Sequence, residues 1–198
     1  MRYPAVELFT ALAFVWLVRQ FGPTPEAAKM CAFGAMLIAL VVTDFEKRLL
    51  PDELTLGGLA IGILISPFIL LRYRVLGALV NILLGLNLPE WAQSLIEAAL
   101  GAVLPAFALW FVGWAFSRVR GREGLGLGDV KLTAMIGAFL GMQNALMTLL
   151  IGAVVGSVLG YAFIKLSGHD PSEYELPFGS FIGAAALVVS LAGPRLLG

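Results

Sequence analysis

Seven apolar stretches fill most of this chain, and nothing else constrains it as much. They run at roughly 4–20, 27–43, 54–71, 94–117, 130–143, 145–166 and 178–196. A helix that crosses a bilayer needs about 20 mostly apolar residues. Only a helix or a closed barrel can satisfy its own backbone in lipid. Composition agrees: 60% of residues are apolar and 13% charged, against about 45–50% and about 25% in ordinary soluble domains. So few polar groups cannot cover a soluble surface, which excludes a soluble globular enzyme. Such hydrophobicity also excludes a disordered chain. Thirteen basic and thirteen acidic residues cancel, so no nucleic-acid surface is expected. The chain therefore reads as all-α: a polytopic helical membrane protein of about seven transmembrane helices, with residues 1–198 forming one membrane domain.

The charges between these stretches are clustered. Asp44–Glu53 holds six, Arg118–Lys131 six and Lys165–Glu175 four, together 16 of the 26. Segments alternate in direction, so the loops after the second, fourth and sixth share one face. Eight basic residues fall on that face and five on the other. The excess places the clusters and the N-terminus in the cytoplasm and the C-terminus outside. The start, Arg2 followed by an apolar run, resembles a signal peptide. However, it lacks a small-residue cleavage site and Glu7 interrupts it, so it reads as a retained helix. Residues 75–88 are apolar but short, bounded by Arg72, Arg74 and Pro89. They read as a re-entrant or interfacial segment on the outer face; if they spanned, the orientation would be lost. Glycines four apart (Gly58 and Gly62; Gly137 and Gly141; Gly152, Gly156 and Gly160) read as packing seams.

Ionisable groups in a bilayer are costly and therefore functional suspects. Asp44 directly follows the apolar run Met36–Thr43, at the cytoplasmic end of the second segment. Asp129 follows Gly124, Gly126 and Gly128 and stands where the fifth segment begins. There it can cap free amides and meet the positive end of the helix dipole. Each also has a plain reading, Asp44 as a solvated helix end and Asp129 as a helix cap. The fifth segment is short: from Asp129 to Gln143 it is about 22 Å long, against a core of about 30 Å. One end should be recessed. If that end is the cytoplasmic one, Asp129 and Asp44 meet in a water-filled notch. Two close carboxylates share a proton. One can then activate water while the other polarises a carbonyl, which is the aspartic-protease route to amide hydrolysis. Asp52, after Pro51 at the start of the third segment, rivals Asp44 as partner of Asp129; these residues alone leave both open. Glu7 either orients the site or snorkels at the interface.

Other chemistry has little support. Cys31 is the one cysteine and His169 the one histidine, so no cysteine-based zinc site or internal disulfide can form. There is no Gly-x-Ser-x-Gly elbow and no phosphate-cradling motif. No metal and no cofactor are expected.

Four motifs in order resemble those of type IV prepilin peptidases, over essentially the whole chain. Asp44-Phe-Glu-Lys-Arg-Leu-Leu-Pro51-Asp52-Glu-Leu-Thr55 resembles their first catalytic motif. Gly126-Leu-Gly128-Asp129-Val-Lys131-Leu132 resembles the second, the Gly-x-Gly-Asp motif of intramembrane aspartic proteases. Leu176-Pro177-Phe178-Gly179-Ser180-Phe181 resembles the closing Pro-Phe-Gly-Pro motif, with Ser180 in place of its second proline. Arg2-Tyr3-Pro4 with Glu7 resembles the start of the helix that follows the cytoplasmic region of long members. The resemblance implies an aspartic endopeptidase of the bacterial inner membrane. It would cut the basic leader from prepilins or pseudopilins at the cytoplasmic face, after a glycine, with those chains and the lipid bilayer as partners. It selects Asp44 over Asp52 as the partner of Asp129. It gives Gly126 and Gly128 the approach to the pair. Lys131, Pro51, Asp52, Pro177, Phe178 and Gly179 become walls of the site. Long members also carry a cysteine-containing zinc region and N-methylate the product with S-adenosylmethionine. This chain starts where that region would end, so it reads as a short or truncated member, and N-methyltransferase activity is called into question. Serine at 180 loses proline's fixed φ, which implies a tuned site rather than a dead one.

A reading from another class is a proton- or ion-coupled transporter, whose intramembrane carboxylates carry the ion. Such sites usually lie near the midplane, between paired broken helices. No corresponding pair of interrupted segments stands out here.

Overall fold

A computed structural model describes residues 2–85, 87–121, 125–167 and 178–192, which form helices and short connections with no strand among them. Local chemistry sets the helix ends. α1 (Arg2–Phe21) is followed by α2 (Pro25–Lys47). Thr24 caps α2 by accepting from the Ala27 amide, and Pro25 occupies the first turn, where its missing N–H costs nothing. α2 stops at Arg48, whose left-handed backbone (φ 52°) donates its N–H to the Asp44 carbonyl at 2.8 Å. α3 (Asp52–Ile65) starts after Pro51 and stops two residues before Pro67. The expected third segment ran to residue 71; Pro67 cuts it short, because it has no N–H for the next carbonyl, that of Ile63, which instead takes the Ser66 amide in a tighter turn (3.3 Å). α4 (Val75–Leu83) has nine residues. That is about 14 Å of helix, too short to cross a core of about 30 Å. α5 (Glu90–Arg120), α6 (Leu127–Ser167) and α7 (Phe178–Ala192) complete the order.

α6 is two helices. Gly141 (φ 78°, ψ 172°) breaks it, in a backbone region that side chains rarely adopt. The chain reverses there, as two contacts on α7 require. Asp129 lies against Gly179, and Gly156 lies against Phe181. A straight helix would hold Asp129 and Gly156 about 40 Å apart. The fifth and sixth expected segments are therefore an antiparallel pair, arms 127–140 and 142–167. Gly141 is the turn between them and not the packing position expected from the sequence.

Among the described residues, four stretches are long and apolar enough to cross a membrane: Pro4–Phe21, Pro25–Lys47, Glu90–Val119 and Leu127–Ala162, the last being the two arms of α6 taken together. Their outward faces are apolar, with Leu12, Val15, Phe107, Trp110, Leu150 and Val158 all exposed. Polar groups such as Thr55, Ser94, Glu97 and Thr133 are buried instead. That distribution suits a lipid solvent. The core lies between α2, the first arm of α6 and α7, around Phe33 and Phe139, whose rings stack with centroids 4.6 Å apart. The first arm also meets α5 at close range. A methyl on Gly137 would collide with the Gly101 carbonyl, so only glycine permits this crossing.

One end of the bundle collects the C-terminus of α2 and the starts of α3, α6 and α7. At the other end, Glu97 is fully buried on α5. Its Oε2 accepts from the Leu76 and Gly77 amides at the start of α4 (2.6 and 3.3 Å). Its Oε1 accepts from the Met142 amide where the second arm of α6 begins (3.0 Å). One carboxylate thus caps two helix starts, positions that favour negative charge.

Candidate active site

Asp44 and Asp129 meet at the first of these ends. Asp44 stands in the last turn of α2, one turn before Arg48 closes the helix. Asp129 is the third residue of α6, with its amide donating to the Gly126 carbonyl (3.1 Å). They are only 6% and 9% exposed, so both carboxylates are taken out of water. A methyl on Gly179 would sit 2.8 Å from Asp129 Oδ1 and 3.2 Å from Asp44 Oδ2. The two oxygens are therefore at most about 6 Å apart, with Gly179 wedged between them.

The start of α7 completes the pocket. The Ser180 amide and hydroxyl each donate to Asp44 Oδ2, both at 2.6 Å. Leu50 closes the other side. Its Cδ1 would lie 2.8 Å from a methyl on Gly179 and 3.1 Å from one on Gly128. Larger residues at either glycine would drive Leu50 off the pair. Leu50 reaches this place because Arg48 turns the chain sharply after α2.

The other expected site residues take varied places. Gly126 is next to Asp129, with its Cβ position 3.6 Å from Oδ2. Pro51 precedes α3, and its carbonyl accepts from the Thr55 amide and hydroxyl (3.1 and 3.2 Å). Asp52 is turned away from the pair: both its oxygens accept from Lys131 Nζ, at 2.7 and 2.8 Å. That exposed bridge ties the start of α3 to the start of α6. Phe178 opens α7 and packs against the core. Glu7 is exposed on α1 and forms no ion pair or hydrogen bond among the described residues. Pro177 lies outside the described residues. Among the described residues, no three His, Cys, Asp or Glu side chains converge as a metal site would require.

Two site residues were not anticipated: Leu50 as a wall and Ser180 as a donor. Leu50 carried a faint signal, an apolar residue inside the charged stretch Asp44–Glu53. In the sequence, Ser180 differs from the motif only in lacking proline's ring. Its contact with Asp44 spans 136 positions, which no local pattern encodes.

Fold and site together define a polytopic membrane protein with a buried aspartate pair at one end of its helical bundle. Residues 31–161 match the type IV leader peptidase family, and the chain belongs to it. A prepilin leader peptidase/N-methyltransferase of Pseudomonas aeruginosa is 34% identical over 195 residues, covering 98% of this chain and 60% of that protein. One from Aeromonas hydrophila is 35% identical over 195 residues, with the same coverage. One from Xanthomonas campestris pv. campestris is 33% identical over 197 residues, covering all of this chain and 61% of the relative. The chain thus spans about 60% of the length of these relatives. No solved structure matches it.

Proposed function

We propose that this chain is a membrane-embedded aspartic endopeptidase. It removes the short basic leader from type IV prepilins or pseudopilins at the cytoplasmic face of the bacterial inner membrane, with residues 1–198 acting as one catalytic unit. The observation that carries the reading is the approach of Asp44 and Asp129 across Gly179 in a buried pocket. Family membership supplies the substrate class. The place of the pair at one end of the bundle, rather than at its middle, favours cleavage over transport.

The chemistry needs only the two carboxylates and water. With one proton between them, the ionised member takes a proton from water as the water oxygen bonds to the scissile carbonyl carbon. The protonated member gives its proton to the carbonyl oxygen, forming a neutral diol. The first carboxyl then protonates the amide nitrogen, the C–N bond breaks, and a diol proton returns to the second. A new carboxylic acid and a new amine leave. Burial of both groups strengthens each of these interactions.

The test is co-expression with a prepilin, read as a mobility shift on a gel, and repeated with purified protein. Asp44→Asn and Asp129→Asn should each abolish the shift while the protein stays folded. Cleavage by either variant would remove the pair from the mechanism.

A further inference from the structure

We propose that Ser180 is a positioning residue that assigns unequal roles to the two aspartates, with Asp44 as the base and Asp129 as the acid. This rests on the peptidase reading and deepens it. The Ser180 amide is an obligate donor, and it lies 2.6 Å from Asp44 Oδ2. The hydroxyl lies at the same distance from the same oxygen. It also has the Val41 carbonyl at 3.5 Å, too far to compete. Both partners are buried. An oxygen that accepts an N–H and an O–H at once carries no proton and cannot rotate away. Hydrogen bonds of this kind are short and strong when the acceptor is charged.

Asp129 is held differently. Its carboxylate takes one backbone hydrogen bond, from Gly126, and no side-chain hydrogen bond among the described residues, and it faces the Gly179 edge. With two donors fixed on Asp44 and one on Asp129, this arrangement assigns the shared proton to Asp129, which offers it to the scissile carbonyl. Asp44, anchored through Oδ2, keeps Oδ1 to take the proton from water. A proline at 180 would supply neither donor, since it has no N–H and no hydroxyl.

The experiment measures kcat and KM for prepilin cleavage by the full chain in detergent, together with the unfolding temperature. Ser180→Ala removes one donor and should lower kcat about ten-fold, with KM within about twofold. Ser180→Thr keeps the hydroxyl and should restore kcat to within about threefold of the parent. A purely structural serine would move unfolding temperature and KM together, and threonine would not rescue it; that pattern overturns the proposal. So does a kcat for Ser180→Ala within twofold of the parent, provided that Asp44→Asn and Asp129→Asn are inactive. Cleavage by those two variants would instead overturn the peptidase reading, and this assignment with it.

Discussion

Gly179→Ala is the most demanding perturbation of the site, because it adds one methyl at the point where the two carboxylates come together. The methyl would sit 2.8 Å from Asp129 Oδ1, 2.8 Å from Leu50 Cδ1 and 3.2 Å from Asp44 Oδ2. Ordinary contact of carbon with carbon is about 3.5–4.0 Å, so something must yield by more than half an ångström. Leu50 can swing aside. The carboxylates cannot do so freely, because Asp44 is anchored by Ser180 and Asp129 by the backbone of α6. Overpacking of this kind destabilises by about 1–3 kcal/mol, which corresponds to a few degrees in Tm for a chain of this size. Activity should suffer more, since displacing catalytic groups by about 1 Å can cost about a hundred-fold in rate. The expected outcome is a hundred-fold loss in kcat/KM with a modest fall in Tm. Adding Leu50→Ala separates the two effects: the double variant should recover stability, because the Leu50 clash is gone, yet remain slow, because the carboxylates are still pushed apart. A Gly179→Ala protein with wild-type kcat/KM would show that the pair does not act through the gap described, and would refute the reasoning.

Other expectations are simpler. Glu97→Ala strands three backbone amides and should destabilise by about 3 kcal/mol in thermal unfolding, while the folded fraction still cleaves. Gly137→Leu should abolish folding, read as loss of monodisperse protein on size exclusion, because the side chain meets the Gly101 carbonyl. The exposed Lys131–Asp52 bridge should show a coupling below about 1 kcal/mol in a double-mutant cycle of unfolding. A chelator should leave cleavage unchanged; inhibition would point to a metal in the reaction.

Much of this architecture was legible in the residues, for identifiable reasons. Asp44 and Asp129 stood out because charge is scarce and each ends an apolar run beside a local cue. Four-apart glycines pointed correctly to seams: Gly58 lies on Met135, Gly62 on Phe139, and Gly152 on Ile182. The same pattern misplaced Gly141, because a turn glycine and a packing glycine look alike until φ is known. Asp52 competes with Asp44 on local residues alone; the motif resemblance selects Asp44, and the fold gives Asp52 to Lys131. Glu97 lies inside the fourth segment without a neighbouring cue, and only the fold shows that it is buried against the amides of two helix starts. Ser180 and Leu50 were hidden because their importance arises from contacts between α7, α2 and α6, which no short window contains.

The reversal at Gly141 bears on how the protein enters its membrane. From Leu132 to Ile164 the chain carries no charged residue at all. The tip of this hairpin therefore has nothing to arrest it on either side and nothing to hold it at the far surface. Neither arm carries a charge of its own between these positions. Its depth is then set from outside the hairpin: by Lys131, bound to Asp52 at the open end, and by Glu97, which waits on α5 for the Met142 amide. The depth of the helix bearing Asp129 is thus fixed by α3 at one end and by α5 at the other.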